Sequence, residues 1–168
     1  MRPKPLTALL GLACASGAAL AQLPADNPDW KEMDAPPPPA FRTDRLVPFE
    51  TASRATALSF GVDPDTIAIS GDGVVRYVVV ASSKTGAMNA LYEGIRCGTA
   101  EFKSYARYHP DSGWTLVPNP SWRSLYDTLP SRHALAFARA GACSGKAPNR
   151  SAQDIVRDLK QPPVNRNF

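Results

Sequence analysis

The chain has 168 residues, 43% hydrophobic and 20% charged, a length and composition suited to one globular domain with its own core. Nineteen lysines and arginines against 15 acids give a net charge of +4. The bases form no run that could track a phosphate backbone, which argues against nucleic acid as a partner.

Residues 1–21 carry a short basic start (Arg2, Lys4), an apolar run, and Ala19-Leu20-Ala21 ahead of Gln22. This pattern predicts a secretory signal peptide with an A-x-A cleavage site. Its apolar run is shorter than the roughly 18 residues a membrane helix requires. Cys14 raises a lipoprotein alternative, but Gly11 stands where a lipobox has a branched apolar residue. Cleavage leaves 147 residues with 17 bases against 15 acids, a net +2. The expectation is an exported protein, periplasmic or associated with the cell surface, and not membrane-spanning.

Residues 22–45 read as an extended leader. Pro36 to Pro39 must be polyproline II, unable to join a sheet interior. The leader is read as a spacer whose Trp30 can dock back on the domain.

One domain is expected over residues 46–161, with a tail at 162–168. Residues 46–49, with Pro48, suggest an edge strand, and residues 55–60 remain unassigned between strand and helix. Residues 66–70 (TIAIS) and 74–81 (VVRYVVVA) read as strands joined by Gly71-Asp72-Gly73 in a tight hairpin. Asp63, Asp65 and Asp72 are explained by turn chemistry. Strands at 90–97 and 100–108 follow, linked by Gly98-Thr99, a register that opposes Arg96 to Glu101, Gly94 to Lys103 and Tyr92 to Tyr105. A short strand at 114–117 closes a meander of four to five antiparallel strands. Helices are predicted over 131–141, with Ser131 as cap, and over 151–161, where Ser151 precedes Asp154 at capping-box spacing. The fold class is α+β, with both helices covering one sheet face.

On the expected core side of the second hairpin, Glu93 sits among Leu91, Ile95, Cys97, Phe102, Ala106 and Tyr108. A buried carboxylate needs a partner, and Arg76, an intruder among valines on the neighbouring strand, is the predicted one. The opposite face bears Tyr92, Arg96, Lys103, Tyr105 and Arg107. Tyrosine with arginine is the composition of interaction surfaces, although a second covering layer would account for it too.

The run YEGIRC (92–97), preceded by GVVRY (73–77), Gly86-Ala87 and Asn89 and followed by Glu101, Lys103 and Ala106, resembles the cryptic neisserial protein-like family of bacterial envelope proteins. Leu46 to Phe49, Gly113-Trp114, Trp122, His133 and Cys143 extend the resemblance over residues 30–159. It implies an exported single domain and no particular reaction. The sequence departs from that pattern at Ala140-Gly141-Ala142, where an aromatic pair is expected.

Cys97 and Cys143 are the two cysteines beyond the signal, and in an oxidising compartment they are expected to form one disulfide. A Cys143 nucleophile served by His133 would need ten residues of helix to close a gap of about 15 Å. No local spacing of histidines or acids makes a metal site, no glycine-rich loop suggests a cofactor, and no serine lies in a nucleophile elbow. The expectation is therefore a non-enzymatic module that binds an envelope protein or polymer through the Tyr/Arg face. The alternative is an envelope hydrolase acting on a glycan or peptide with Glu93 as acid/base.

Overall fold

The computed structural model describes residues 27–51, 57–128 and 132–161. The expected signal peptide with Cys14, the tail, and Ser131 lie outside the described residues.

The fold is α+β, as expected, but among the described residues its antiparallel sheet has eight strands rather than four or five. They are β1 (Val47–Phe49), β2 (Leu58–Val62), β3 (Ala68–Ile69), β4 (Val74–Ser83), β5 (Met88–Arg96), β6 (Glu101–His109), β7 (Gly113–Leu116) and β8 (Arg123–Ser124). The main order is β1-β2-β4-β5-β6-β7, with β3 beside β4 and β8 beside β6. The valine-rich β4 is buried from Val74 to Val80 and lies at the centre, where β-branched side chains pack on both faces.

The unassigned segment before residue 61 supplies β2, which pairs with the second half of β4. The strand expected at 66–70 shrinks to β3, because Pro64–Thr66 forms a 3-10 turn capped by Asp63. Thr66 fills the gap in the ladder, accepting the Val78 N–H at 2.9 Å through its hydroxyl.

One face of the sheet carries Val75, Tyr77, Val79, Ile95 and Phe102 against the helical layer. That layer comprises α1 (His133–Phe137), a π-type turn at Ala138–Ala142, and α2 (Ala152–Leu159). Ser151 caps α2 by accepting the Asp154 N–H at 3.0 Å, as its spacing predicts. The small residues around Gly141 let α2 approach closely: a Cβ at Gly141 would lie 2.8 Å from the Cβ of Asp158. The Cys97–Cys143 disulfide joins the end of β5 to this layer, and a short hairpin of β9 (Cys143–Ser144) and β10 (Ala147–Pro148) follows.

The β5–β6 register opposes Arg96 to Glu101 and Gly94 to Lys103, as expected, and then slips at a bulge between Tyr92 and Glu93. Tyr92 therefore stands opposite Ala106, although its ring still lies 5.3 Å from that of Tyr105. A one-residue slip exchanges faces beyond the bulge. Ala106 and Tyr108, expected on the helix side, join the opposite face. Arg107 leaves that face and aligns with Leu91, which packs on the helix side.

Candidate functional site

The face away from the helices is not bare. Residues 27–46 fold back over it, and Phe41 and Leu46 pack on the second apolar cluster around Val78, Val80, Tyr92 and Tyr105. Tyr92 and Tyr105 are 2% and 7% exposed, and the side chains of Arg96 and Lys103 only 18% and 12%. The expectation of an open Tyr/Arg face is corrected accordingly: four of its residues are covered, and the exposed fifth, Arg107, is turned away by the bulge. The covering layer is the leader, which acts as more than a spacer.

Alternation along the strands assembles the site. Arg76 on β4, Gly94 and Arg96 on β5, and Lys103 and Tyr105 on β6 all project from the leader side. Gly94 makes room for the Tyr105 ring, since a Cβ there would lie 2.7 Å from the phenol oxygen and 2.9 Å from Val74 Cγ1. Arg76, 2% exposed, donates to Asp72 Oδ2 at 3.0 Å, to the Met33 carbonyl at 3.1 Å, and to Ser70 Oγ. Burial opposes ionisation of Asp72, but hydrogen bonds from Arg76 and Ser70 outweigh it and hold the carboxyl well below its usual range.

The predicted Arg76–Glu93 pair is not formed. Arg76 aligns with Gly94 while Glu93 aligns with Tyr77, so the two side chains occupy opposite faces of the sheet.

Into this site the leader inserts Trp30 and Glu32, two residues apart and both in contact with Trp122. The Glu32 carboxylate accepts from Lys103 Nζ at 2.5 Å, Tyr105 Oη at 2.8 Å and Trp122 Nε1 at 3.1 Å, with Arg76 at 3.8 Å. Burial works against its charge, yet the Lys103 and Tyr105 bonds prevail and lower its pKa. Burial and the bond to Glu32 raise Tyr105 well above a normal phenol, keeping it a donor. Trp30 donates its indole N–H to the Asp72 carbonyl at 2.8 Å, and the Arg96 guanidinium lies 3.9 Å from its ring centroid. Chemically, the site holds the leader's carboxylate with ammonium, phenol and indole donors, with a cation stacked on an aromatic ring beside it.

Glu93 belongs to a separate, helix-side cluster. It is 1% exposed and accepts from Tyr77 Oη at 3.0 Å, Ser104 Oγ at 2.7 Å and His133 Nε2 at 2.8 Å, while Phe60 stacks on the imidazole with centroids 5.4 Å apart. Burial would raise Glu93, but the charge and hydrogen bond of His133 dominate and lower it. Burial likewise depresses His133, and the Glu93 carboxylate more than restores it, leaving its pKa raised. Ser104 donates to the carboxylate rather than to the imidazole, so this is not a nucleophile–base arrangement. A carboxylate held ionised is poorly poised to act as a general acid. Among the described residues no three His, Cys, Asp or Glu side chains are grouped so as to hold a metal ion, and no helix is long and apolar enough to cross a membrane.

Sequence reasoning singled out Arg96, Lys103 and Tyr105, which the structure brings together, but not Glu32, Asp72 and Trp122 beside them, whose contacts span up to 90 residues. The capacity of Trp30 to dock was the one local signal.

The model of the CNP1-like family matches residues 25–160, most of the chain and including the docked leader, and the chain belongs to that family. No curated protein and no solved structure matches it.

Proposed function

We propose that this member of the CNP1-like family is an exported protein of the cell envelope that acts by binding rather than by catalysis. Its recognition groups are Arg96, Lys103 and Tyr105, and its ligand is an acidic segment of an envelope protein or polymer. One observation carries the reading: a carboxylate from outside the sheet, that of Glu32, is gripped by an ammonium, a phenol and an indole together. Charge-assisted bonds of this kind are roughly twice as strong as neutral ones. Without Glu32 the Lys103 ammonium loses the carboxylate it is paired with, and a site bordered by Arg76 and Arg96 is open to an acidic ligand. The Cys97–Cys143 bridge is compatible with the oxidising compartment that export implies.

The reading is tested by recovering the protein from its native envelope with bound partners. Lys103→Met with Tyr105→Phe preserves shape while removing the ammonium and the hydroxyl. Loss of a specific partner in this variant supports the proposal, and undiminished recovery contradicts it.

A further inference from the structure

The leader does not behave as an integral part of the sheet. It forms no strand between residues 27 and 46, and it touches the sheet through side chains: Met33 N–H to Asp72 Oδ2 at 2.9 Å, Arg76 to the Met33 carbonyl, and Trp114 Nε1 to the Pro39 carbonyl at 3.2 Å. The stretch between these contacts, Asp34 to Pro37, is exposed. Nor does the leader saturate the site. Arg76 is almost wholly buried, yet its Nε–H has no acceptor among the described residues, and Glu32 stops 3.8 Å from its guanidinium, beyond hydrogen-bond reach.

We infer that Trp30 and Glu32 are an internal stand-in for the true ligand, and that the site recognises extended peptides carrying an aromatic residue and a carboxylate two positions later. This rests on the binding reading above and deepens it by naming the ligand pattern and its control. A partner segment with the same pattern gains access by displacing the leader. Two-residue spacing matters because in the leader it places the ring over Arg96 while the carboxylate reaches Lys103 and Tyr105. Tethering gives the internal copy an effective concentration on the order of millimolar, so it masks the site against weak ligands and yields to strong or abundant ones.

The test uses the full-length protein and a labelled synthetic peptide of residues 27–41. Trp30→Ala with Glu32→Ala empties the site. Fluorescence anisotropy should then show the peptide binding this variant at least about tenfold more tightly than the wild type, the factor expected from removing a millimolar internal competitor. Adding Lys103→Met should cancel the gain. Equal affinity for both proteins, or binding indifferent to Lys103→Met, overturns the inference.

Hydrogen exchange on the wild type provides a measurement independent of the folding of these variants. The Met33 amide should exchange through a local opening, faster than the amides of the β4–β5 ladder; exchange only with global unfolding overturns the inference. Partner recovery with no peptide binding would sink this inference alone, whereas peptide binding with no envelope partner would sink the binding function alone.

Discussion

The Glu32 carboxylate meets the Tyr105 hydroxyl at 2.8 Å across 73 residues of sequence, in the contact that closes the leader onto the sheet. Glu32→Ala leaves a largely buried ammonium and phenol without their acceptor. It should lower stability by about 2 kcal/mol, as expected for a lost hydrogen bond to a charged group. A reduced urea midpoint with little change in slope would show this. An unchanged midpoint would mean that the contact contributes nothing to closure.

Glu93 and His133 make the equivalent link on the helix side. Glu93→Gln removes the carboxylate that pairs with the buried His133 imidazole and should cost about 3 kcal/mol. The lowered pKa of Glu93 adds stability above its ordinary value of 4.5, lost as pH falls through the folded pKa. The raised pKa of His133 adds stability that is complete below 6.5 and lost as pH rises through the folded pKa. The pair therefore contributes most between about pH 4.5 and 6.5. Urea titrations from pH 5 to 9 should show stability declining on the alkaline side in the wild type, with that limb flattened in His133→Asn.

Gly94→Ala places a methyl group where the Tyr105 ring and Val74 already stand. Both must shift, at a cost of about 2 kcal/mol, typical of overpacking. The displaced phenol should also weaken binding of the residue 27–41 peptide to the emptied site. Retained stability together with retained peptide affinity would contradict the role given to Gly94.

Export and the disulfide are read together in the intact mass of protein purified from the native envelope. The expected species begins at Gln22 and takes up two alkyl groups only after reduction. Replacing Cys97 and Cys143 by serine should lower stability by roughly 4 kcal/mol on the chain-entropy account for a loop of this span. A free thiol before reduction, or acylated Cys14 at the new N-terminus, would contradict this account.

The sequence was most informative where local pattern and tertiary placement agree. The valine run of β4, the hairpin at Asp72, the Ser151 cap and the cysteine pair could all be read directly, because each depends on period, turn chemistry or composition. The β5–β6 register was legible up to Glu93, since Arg96 and Glu101 oppose one another. The bulge beyond it was not, and this one residue reassigned Ala106, Arg107 and Tyr108 to other faces. The partner of Glu93 was missed for a related reason. The need for a cation was legible, but choosing His133 over Arg76 required the β4–β5 register, which places Arg76 opposite Gly94. Of the site itself, the cationic and aromatic strand residues were visible as a pattern. The leader's Glu32 was not, because nothing in an isolated polar segment specifies which face it will cover.

The central claim, that the Lys103 and Tyr105 site engages a partner in the envelope, is tested most directly by photo-crosslinking from Ser121. This exposed residue adjoins Trp122 at the rim of the site. In native envelopes a photoreactive side chain there should yield one discrete adduct, lost when Lys103→Met and Tyr105→Phe are added. An adduct unchanged by those substitutions, or no adduct from the folded protein, would contradict the claim.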